Sequence, residues 1–126
     1  MNFEGKVAVI TGSSLGIGAE AAKKITALGG RVTINYSKSK EAAEEVAHKC
    51  SQLGETPLVI KSDIATDEGC KHLIDGAFRE FKAIHILINN QRAHIRSIEI
   101  ILGLGRQPRP CVYFGISWTQ FQVCFW

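Results

Sequence analysis

Thr11-Gly12-Ser13-Ser14-Leu15-Gly16-Ile17-Gly18 is the stretch that decides the fold of this chain, because it joins a predicted strand to a predicted helix. The strand is the apolar run at 6–10, which has the composition of a strand buried on both faces. The helix covers 17–29, where apolar residues recur at helical spacing. Glycines at such a turn accept positive φ angles and leave backbone N–H groups uncovered. The stretch therefore predicts a phosphate cradle at the N-terminus of a helix.

Alternating strand and helix patterns continue after the first helix. Strands are predicted at 31–36, 57–61 and 84–89, and helices at 40–53 and 68–81, with Ser39 and Asp67 as their N-caps. The inward side chains predicted for the last helix are Leu73, Ile74, Ala77, Phe78 and Phe81. Short connections between alternating elements predict a parallel sheet with helices on both faces and the spatial order 3-2-1-4. A ligand of such a sheet binds beyond the carboxyl ends of the strands, where the glycine turn lies.

Composition excludes several classes of function. The 126 residues are 45% hydrophobic and 21% charged, which is typical of one soluble domain. No apolar run approaches the length of about 20 residues that a membrane span needs, and the N-terminus lacks a signal-peptide pattern, so a cytoplasmic location is expected. The net charge of +3 comes from the segment 91–126, and no basic stripe predicts a nucleic-acid partner. No CxxC spacing or histidine pairing suggests a metal, so buried or free thiols are predicted at Cys50, Cys70, Cys111 and Cys124.

Three motifs together resemble the classical short-chain dehydrogenases/reductases over residues 3–90. They are the glycine turn, Asp63-Ile64, and Ile86-Leu87-Ile88-Asn89-Asn90, and they occur at the family's own spacing. Among the members of this family, the sequence most resembles the 3-oxoacyl-carrier-protein reductases. The resemblance implies an α/β fold: a truncated, Rossmann-type, doubly wound parallel sheet of about four strands and three helices. Residues 1–90 would form a dinucleotide-binding half-domain.

The resemblance also implies cofactor contacts. In the family, the glycine-turn positions line the cofactor phosphates and the adenosine ribose; here they are Gly12, Ser13, Ser14, Gly16, Ile17 and Gly18. Asp63 matches an aspartate that accepts a hydrogen bond from the adenine amino group, and Ile64 supplies an apolar wall. The residues alone leave open that Asp63 is a turn residue at the end of a strand. Asn89 matches an asparagine that ties the fourth strand to its neighbour, with adenosine contact secondary.

The choice of cofactor is expected at the end of the second strand. A carboxylate roughly 20 residues past the turn would bind the ribose hydroxyls of NAD and repel a 2′-phosphate. This chain instead offers hydroxyl, amide and ammonium groups, at Asn35, Tyr36, Ser37, Lys38 and Lys40. NADP(H) is therefore favoured over NAD(H). Leu15 stands where many NADP-dependent relatives have an arginine, and the lysines could also form a solvated face.

The family pattern ends after Asn90, and 91–126 is expected to be a tail without family resemblance. It would be partly disordered, with low order at 103–111, or packed on the edge of the fourth strand through 98–102 and 120–126. His85, within the apolar fourth strand, is predicted to be a hydrogen-bonded structural residue. Association into the family's homo-oligomers is not expected, because the family's C-terminal half is missing.

The proton-transfer residues of the family are also missing from the sequence. Family members move a hydride between a nicotinamide cofactor and a carbonyl or alcohol, using a serine and a Tyr-x-x-x-Lys motif. No lysine follows Lys82, and Tyr113 is followed four residues later by Ser117, so no catalytic residue is assigned. The chain is expected to bind cofactor and to be inactive as it stands. The alternative is a non-enzymatic nucleotide-binding or regulatory fragment that associates with a full-length relative through its exposed sheet edge.

Overall fold

The computed structural model of the chain describes residues 2–90 and, for the backbone, residues 122–125. Strands and helices alternate along the described chain in the order β1 Val7–Ile10, α1 Gly16–Ala27, β2 Arg31–Tyr36, α2 Lys40–Leu53, β3 Leu58–Lys61, α3 Asp67–Phe81, β4 Ile86–Asn89 and β5 Gln122–Phe125. The four predicted strands and three predicted helices all form. The predictions made for 98–102 and 103–111 lie outside the described residues.

The strands form one sheet in the order β3-β2-β1-β4-β5. The first four are parallel, which confirms the predicted order 3-2-1-4 and the doubly wound fold. β5 is antiparallel to β4, with Asn89 opposite Gln122 and Ile86 opposite Phe125. The edge of β4 that faces away from β1 is therefore hydrogen-bonded to β5, and β5 begins at the carboxyl end of the parallel strands.

Side chains alternate along each strand and build one apolar core on each face of the sheet. The face that carries α1 and α2 buries alternate strand residues such as Ile10, Ile34 and Ile88. The opposite face buries Val9 and Leu87 against α3. The inward stripe of α3 is Cys70, Leu73, Ile74 and Ala77. Both faces of the sheet are thus covered by helices, as a parallel sheet requires.

Phe78 was predicted to point inward, and this prediction is wrong. The side chain is 56% exposed. At 100° per residue, position 78 lies roughly 90° around the helix from the centre of the buried stripe. The apolar face of α3 is therefore narrower than the sequence pattern suggested.

The N-cap of α3 is Thr66 and not Asp67. Thr66 has an extended backbone, and its Oγ1 accepts a hydrogen bond from the N–H of Gly69 at 3.0 Å. Asp67 is already the first helical residue, so its carboxylate lies in the first turn together with that of Glu68. Ser39 is the N-cap of α2, as predicted, although its side chain forms no capping hydrogen bond.

His85 has the structural role that the sequence predicted. Its Nδ1 accepts a hydrogen bond from the N–H of Val7 at 2.9 Å, and its own N–H donates to the carbonyl oxygen of Val7 at 2.9 Å. The imidazole thus acts as a backbone-like acceptor. It extends the pairing of β1 with the chain just before β4.

Cys50 and Cys70 are buried free thiols, which confirms the prediction for these two cysteines. Burial raises the pKa of both thiols, and for Cys70 the nearby carboxylates of Asp67 and Asp63 raise the pKa further. The Cys70 thiol donates to the carbonyl oxygen of Ile64 at 3.1 Å. Cys111 lies outside the described residues, and Cys124 is described by its backbone alone.

Candidate functional site

The N-terminus of α1 has the features of an anion-binding site. Leu15 is its N-cap residue and forms no side-chain capping hydrogen bond, and the first turn contains no acidic residue. By contrast, α3 has a capping threonine and two acidic residues at its start. The first N–H groups of a helix have no intrahelical acceptor and carry the positive end of the helix dipole. At α1 these groups and this partial charge are left without compensation from the cap or the first turn.

Two glycines shape the space in front of this helix in opposite ways. Gly16 has a φ of +59°, and a Cβ built on it would meet nothing within 4 Å, so it borders open space. A Cβ on Gly18 would lie 2.7 Å from Asn90 Nδ2 and 2.9 Å from both Gly12 O and Ser13 Cα. Gly16 therefore borders open space, whereas Gly18 lets the helix pack directly beneath the turn.

Ser13 is buried and uses its side chain inside the turn. Its Oγ donates to the carbonyl oxygen of Ile10 at 2.8 Å and accepts from the N–H of Asn35 at 2.9 Å. Ser13 is therefore not among the residues that line the cleft, although the sequence predicted a phosphate contact for it. Ser14, the next residue, is half-buried and lines the cleft.

Asn35 is fully buried, although the sequence placed it among the residues that face a phosphate. Its Oδ1 accepts from the N–H of Gly12 at 3.1 Å, and its backbone oxygen accepts from the N–H of Ser13 at 3.1 Å. Its Nδ2 donates to Ser62 Oγ at 2.9 Å and to Ser62 O at 3.2 Å. These contacts, with the Ser13 Oγ contact, are called the Asn35 network below. They join the glycine turn to the end of β3.

A cleft of about 520 Å³ opens at the carboxyl ends of β1 and β2. Its lining consists of Gly12, Ser14, Leu15, Tyr36, Ser37, Lys38, Ser39 and Asn90. Lys38 is exposed and Ser37 is half-buried, whereas Tyr36 is buried within the core against α1 and α2. Ser39 and Asn90 were not assigned to the site from the sequence. Each directly follows an assigned residue, and Asn90 also belongs to the motif at the end of β4, so both signals were present in the sequence.

Asp63 and Ile64 follow β3. Asp63 is exposed, and its Oδ1 accepts from the N–H of Ala65 at 3.0 Å, so it has the turn role that the sequence left open. Ile64 is buried in the apolar core against α3, and its side chain is not among the groups that line the cleft. Asp63 is thus the exposed residue of this pair, whereas Ile64 is buried.

Asn90, which directly follows β4, contacts the turn with its side chain and its backbone. Asn90 Nδ2 donates to the carbonyl oxygen of Gly12 at 3.2 Å, and the Asn90 N–H donates to Thr11 Oγ1 at 3.0 Å. The sequence predicted that Asn89 ties β4 to its neighbour, but Asn89 Nδ2 is buried without a hydrogen-bond partner among the described residues. Because side chains alternate along a strand, Asn89 lies on the α3 face with Leu87. Asn90 is the residue that can reach the turn.

Other kinds of site find no support in the described part of the chain. Within residues 2–90, histidine, cysteine and carboxylate side chains form no group of three or more that could hold a metal ion. The helices found there are too short or too polar for one of them to cross a lipid bilayer.

The sequence also matches a known protein family. The model of the family described as short chain dehydrogenase matches residues 6–97. The chain belongs to the short-chain dehydrogenase/reductase family. The match corresponds to the N-terminal half of family members and runs seven residues beyond Asn90, the end of the motif pattern.

Proteins similar to this chain align with only part of it, and they are longer than it is. An NADPH-dependent aldehyde reductase of Arabidopsis thaliana is 42% identical over 97 residues, which cover 68% of this chain and 36% of that protein. A short chain dehydrogenase of Burkholderia cenocepacia, solved in complex with NADP, is 30% identical with a TM-score of 0.69. The match covers 84% of this chain and 47% of that protein's chain. A 7α-hydroxysteroid dehydrogenase, solved with NADH, is 30% identical with a TM-score of 0.65. The match covers 68% of this chain and 33% of that protein's chain. The chain spans about a third of the length of the curated relatives it matches.

Proposed function

We propose that residues 1–90 form a half-site that binds NADP(H), and that the 126-residue chain binds this cofactor without transferring hydride. The observation that carries the proposal is the uncapped N-terminus of α1 in front of open space at Gly16. The pyrophosphate of a dinucleotide would accept hydrogen bonds from the first amides of α1 and would be stabilised by its dipole. The residues proposed to form the site are Gly12, Ser13, Ser14, Gly16, Ile17, Gly18, Tyr36, Ser37, Lys38, Asp63, Ile64 and Asn89, of which Ser13, Ile64 and Asn89 would support it from within the fold.

The preference for NADP(H) follows from the side chains at the carboxyl end of β2. Among the described residues, the cleft lining contains Ser37 and Lys38, with a hydroxyl and an ammonium group, but no carboxylate. Lys40 is held 3.8 Å from Glu44, whereas Lys38 forms no ion pair within residues 2–90. A free ammonium group stabilises a 2′-phosphate, and the missing carboxylate removes the usual partner of an unmodified ribose. Because family members have been solved with NADP and with NADH, the preference depends on these side chains and not on the fold.

Lys38→Glu is expected to reverse this preference. The introduced carboxylate repels the 2′-phosphate, so the Kd for NADP should rise about tenfold or more, a loss of at least about 1.4 kcal/mol. The Kd for NAD, which lacks that phosphate, should change much less. Isothermal titration calorimetry with both nucleotides measures the two constants.

Lys71→Glu is the charge-matched control, because Lys71 is exposed on α3 and does not line the cleft. It should leave both constants unchanged. An equal loss of NADP and NAD affinity in Lys38→Glu would contradict a 2′-phosphate contact. Absence of binding heat for both nucleotides with the unaltered chain would refute the proposed function.

The chain is expected not to reduce carbonyl compounds. When bound, the nicotinamide would supply the family's hydride-transfer chemistry, but a proton donor is also required. A lysine beside a tyrosine favours the phenolate and so lowers the tyrosine pKa, and no lysine follows Lys82 in this sequence. Absorbance of NADPH, followed with a panel of ketones and aldehydes, should not fall faster than in a protein-free sample. Steady turnover that co-purifies with the chain would disprove this part of the proposal.

The alternative of a regulatory fragment loses its main support. It required an exposed edge on β4 through which a full-length relative could pair. In the structure that edge is hydrogen-bonded to β5. Cofactor binding is thus the function that the described residues support best.

A further inference from the structure

We infer that Asn35 is a positioning residue that holds the glycine turn in its phosphate-binding shape; this inference rests on the proposed function. Asn35 is the last residue but one of β2 and is fully buried. It does not line the cleft, so its effect on a nucleotide would be indirect. Through the Asn35 network it contacts the turn after β1 and the chain after β3.

The turn side of the network fixes two consecutive backbone amides. Gly12 N–H donates to Asn35 Oδ1, and Ser13 N–H donates to Asn35 O, both at 3.1 Å. Asn35 N–H in turn donates to Ser13 Oγ at 2.9 Å. The first amides of the turn are therefore directed at Asn35 and away from the cleft. The amides at the start of α1 take no part in these hydrogen bonds.

The β3 side of the network fixes the orientation of the Asn35 amide. Nδ2 lies against oxygen acceptors, Ser62 Oγ at 2.9 Å and Ser62 O at 3.2 Å, with Ile60 O at 3.4 Å. Oδ1 lies against an N–H donor. One donor end and one acceptor end are thus both required at this position. An aspartate has the same shape but would place an oxygen acceptor against the acceptors of β3.

The consequence for binding is preorganisation. A glycine-rich turn has many accessible conformations, and ordering it on binding would reduce affinity. A buried amide that spans the turn and β3 removes this freedom before a ligand arrives. Ser62 also precedes Asp63, so the network joins the phosphate end of the proposed site to its adenine end.

Asn35→Asp tests the inference. It keeps the acceptor for Gly12 and loses the donor to Ser62, so the Kd for NADP should rise about tenfold or more at neutral pH. Protonation of the introduced carboxyl group restores a donor. The ratio of variant to wild-type Kd, measured at each pH, should therefore fall towards one as the pH is lowered from 8 to 5.

Thr26→Ala is the control for a general loss of stability. Thr26 is buried at the far end of α1, where its Oγ1 donates to the carbonyl oxygen of Ala22 at 2.8 Å. It should lower the Tm without changing the Kd, when each variant is titrated at a temperature where it is fully folded. A second variant, Ser62→Ala, removes one acceptor of the network and should raise the Kd in the same direction as Asn35→Asp.

The outcomes separate the inference from the proposed function. If the wild-type chain binds no nucleotide, the proposed function fails and the inference fails with it. If the wild type binds and folded Asn35→Asp binds equally well, the inference alone is wrong. If the variant binds weakly at every pH to the same degree, the missing donor is not the cause, and the positioning role is refuted as well.

Discussion

Gly18→Ala is expected to weaken NADP binding more than about a hundredfold, a loss of about 2.8 kcal/mol. The new Cβ would lie 2.9 Å from Gly12 O and from Ser13 Cα, which are backbone atoms of the turn itself. The third neighbour, Asn90 Nδ2 at 2.7 Å, is a side-chain atom that can rotate away. The turn must therefore move, and a cradle of backbone amides tolerates displacements of only about 0.5 Å. Calorimetry with NADP measures the loss.

Gly16→Val is also expected to weaken NADP binding, but for a different physical reason, so comparing the two variants helps to interpret Gly18→Ala. A valine at Gly16 occupies open space in front of α1 and has to adopt a φ of +59°. It should therefore weaken NADP binding through backbone strain and bulk at the start of α1, while Gly18 keeps its packing against the turn. Gly76→Ala, on the remote helix α3, should bind NADP normally. If folded Gly18→Ala bound NADP with the wild-type Kd, the close packing beneath the turn would not matter for the site.

Gly69→Ala is expected to lower the free energy of unfolding by more than about 3 kcal/mol, which is above the usual range for a single substitution. A Cβ on Gly69 would overlap the carbonyl oxygen of Asp63 and lie 2.9 Å from Thr66 Oγ1. Relief of this clash moves the first turn of α3 and breaks the Thr66 cap, which alone contributes about 1 kcal/mol. It also disturbs the burial of Cys70 and Leu73. Urea denaturation followed by circular dichroism measures the change.

Gly76→Ala, in the same helix, is the matched control. Its Cβ would lie 2.7 Å from Ile60 Cδ1, the flexible end of a side chain. The cost of moving that methyl group is offset by the higher helix propensity of alanine, about 1 kcal/mol over glycine. The free energy of unfolding should thus change by less than about 1 kcal/mol. Equal urea midpoints for the two variants would show that the contact with Asp63 is not decisive.

The fold was predictable because its signals are local. β-branched runs, helical spacing of apolar residues and short connections each occur within a few positions of one another, and together they determine the strand order. β2 and α2 begin and end where the sequence predicted. Thr66 and Asp67 show the limit of this reasoning, since both residue types favour the N-cap and only the backbone conformation decides between them.

The interior of the candidate site was less predictable because its contacts are distant in sequence. Asn35 bonds to residues 23 and 27 positions away, at Gly12 and Ser62. A polar residue at the end of a strand gives the same local sequence pattern whether its side chain faces a ligand or a buried hydrogen-bond network. Asn89 and Asn90 are equally indistinguishable until the pleat of β4 assigns them to opposite faces. The antiparallel pairing of β5 likewise depends on a contact between segments that are far apart in sequence.

The direction of β5 has a practical consequence for attaching the protein to a surface or a dye. Because β5 starts beside Asn89 and ends beside Ile86, the chain leaves the sheet at the amino ends of the parallel strands. The cleft lies at the opposite, carboxyl ends. A biotin or fluorophore attached to the chain after β5 would then follow a strand that points away from the cleft. Surface plasmon resonance with the chain immobilised through that end would present the open face to nucleotide in the flow.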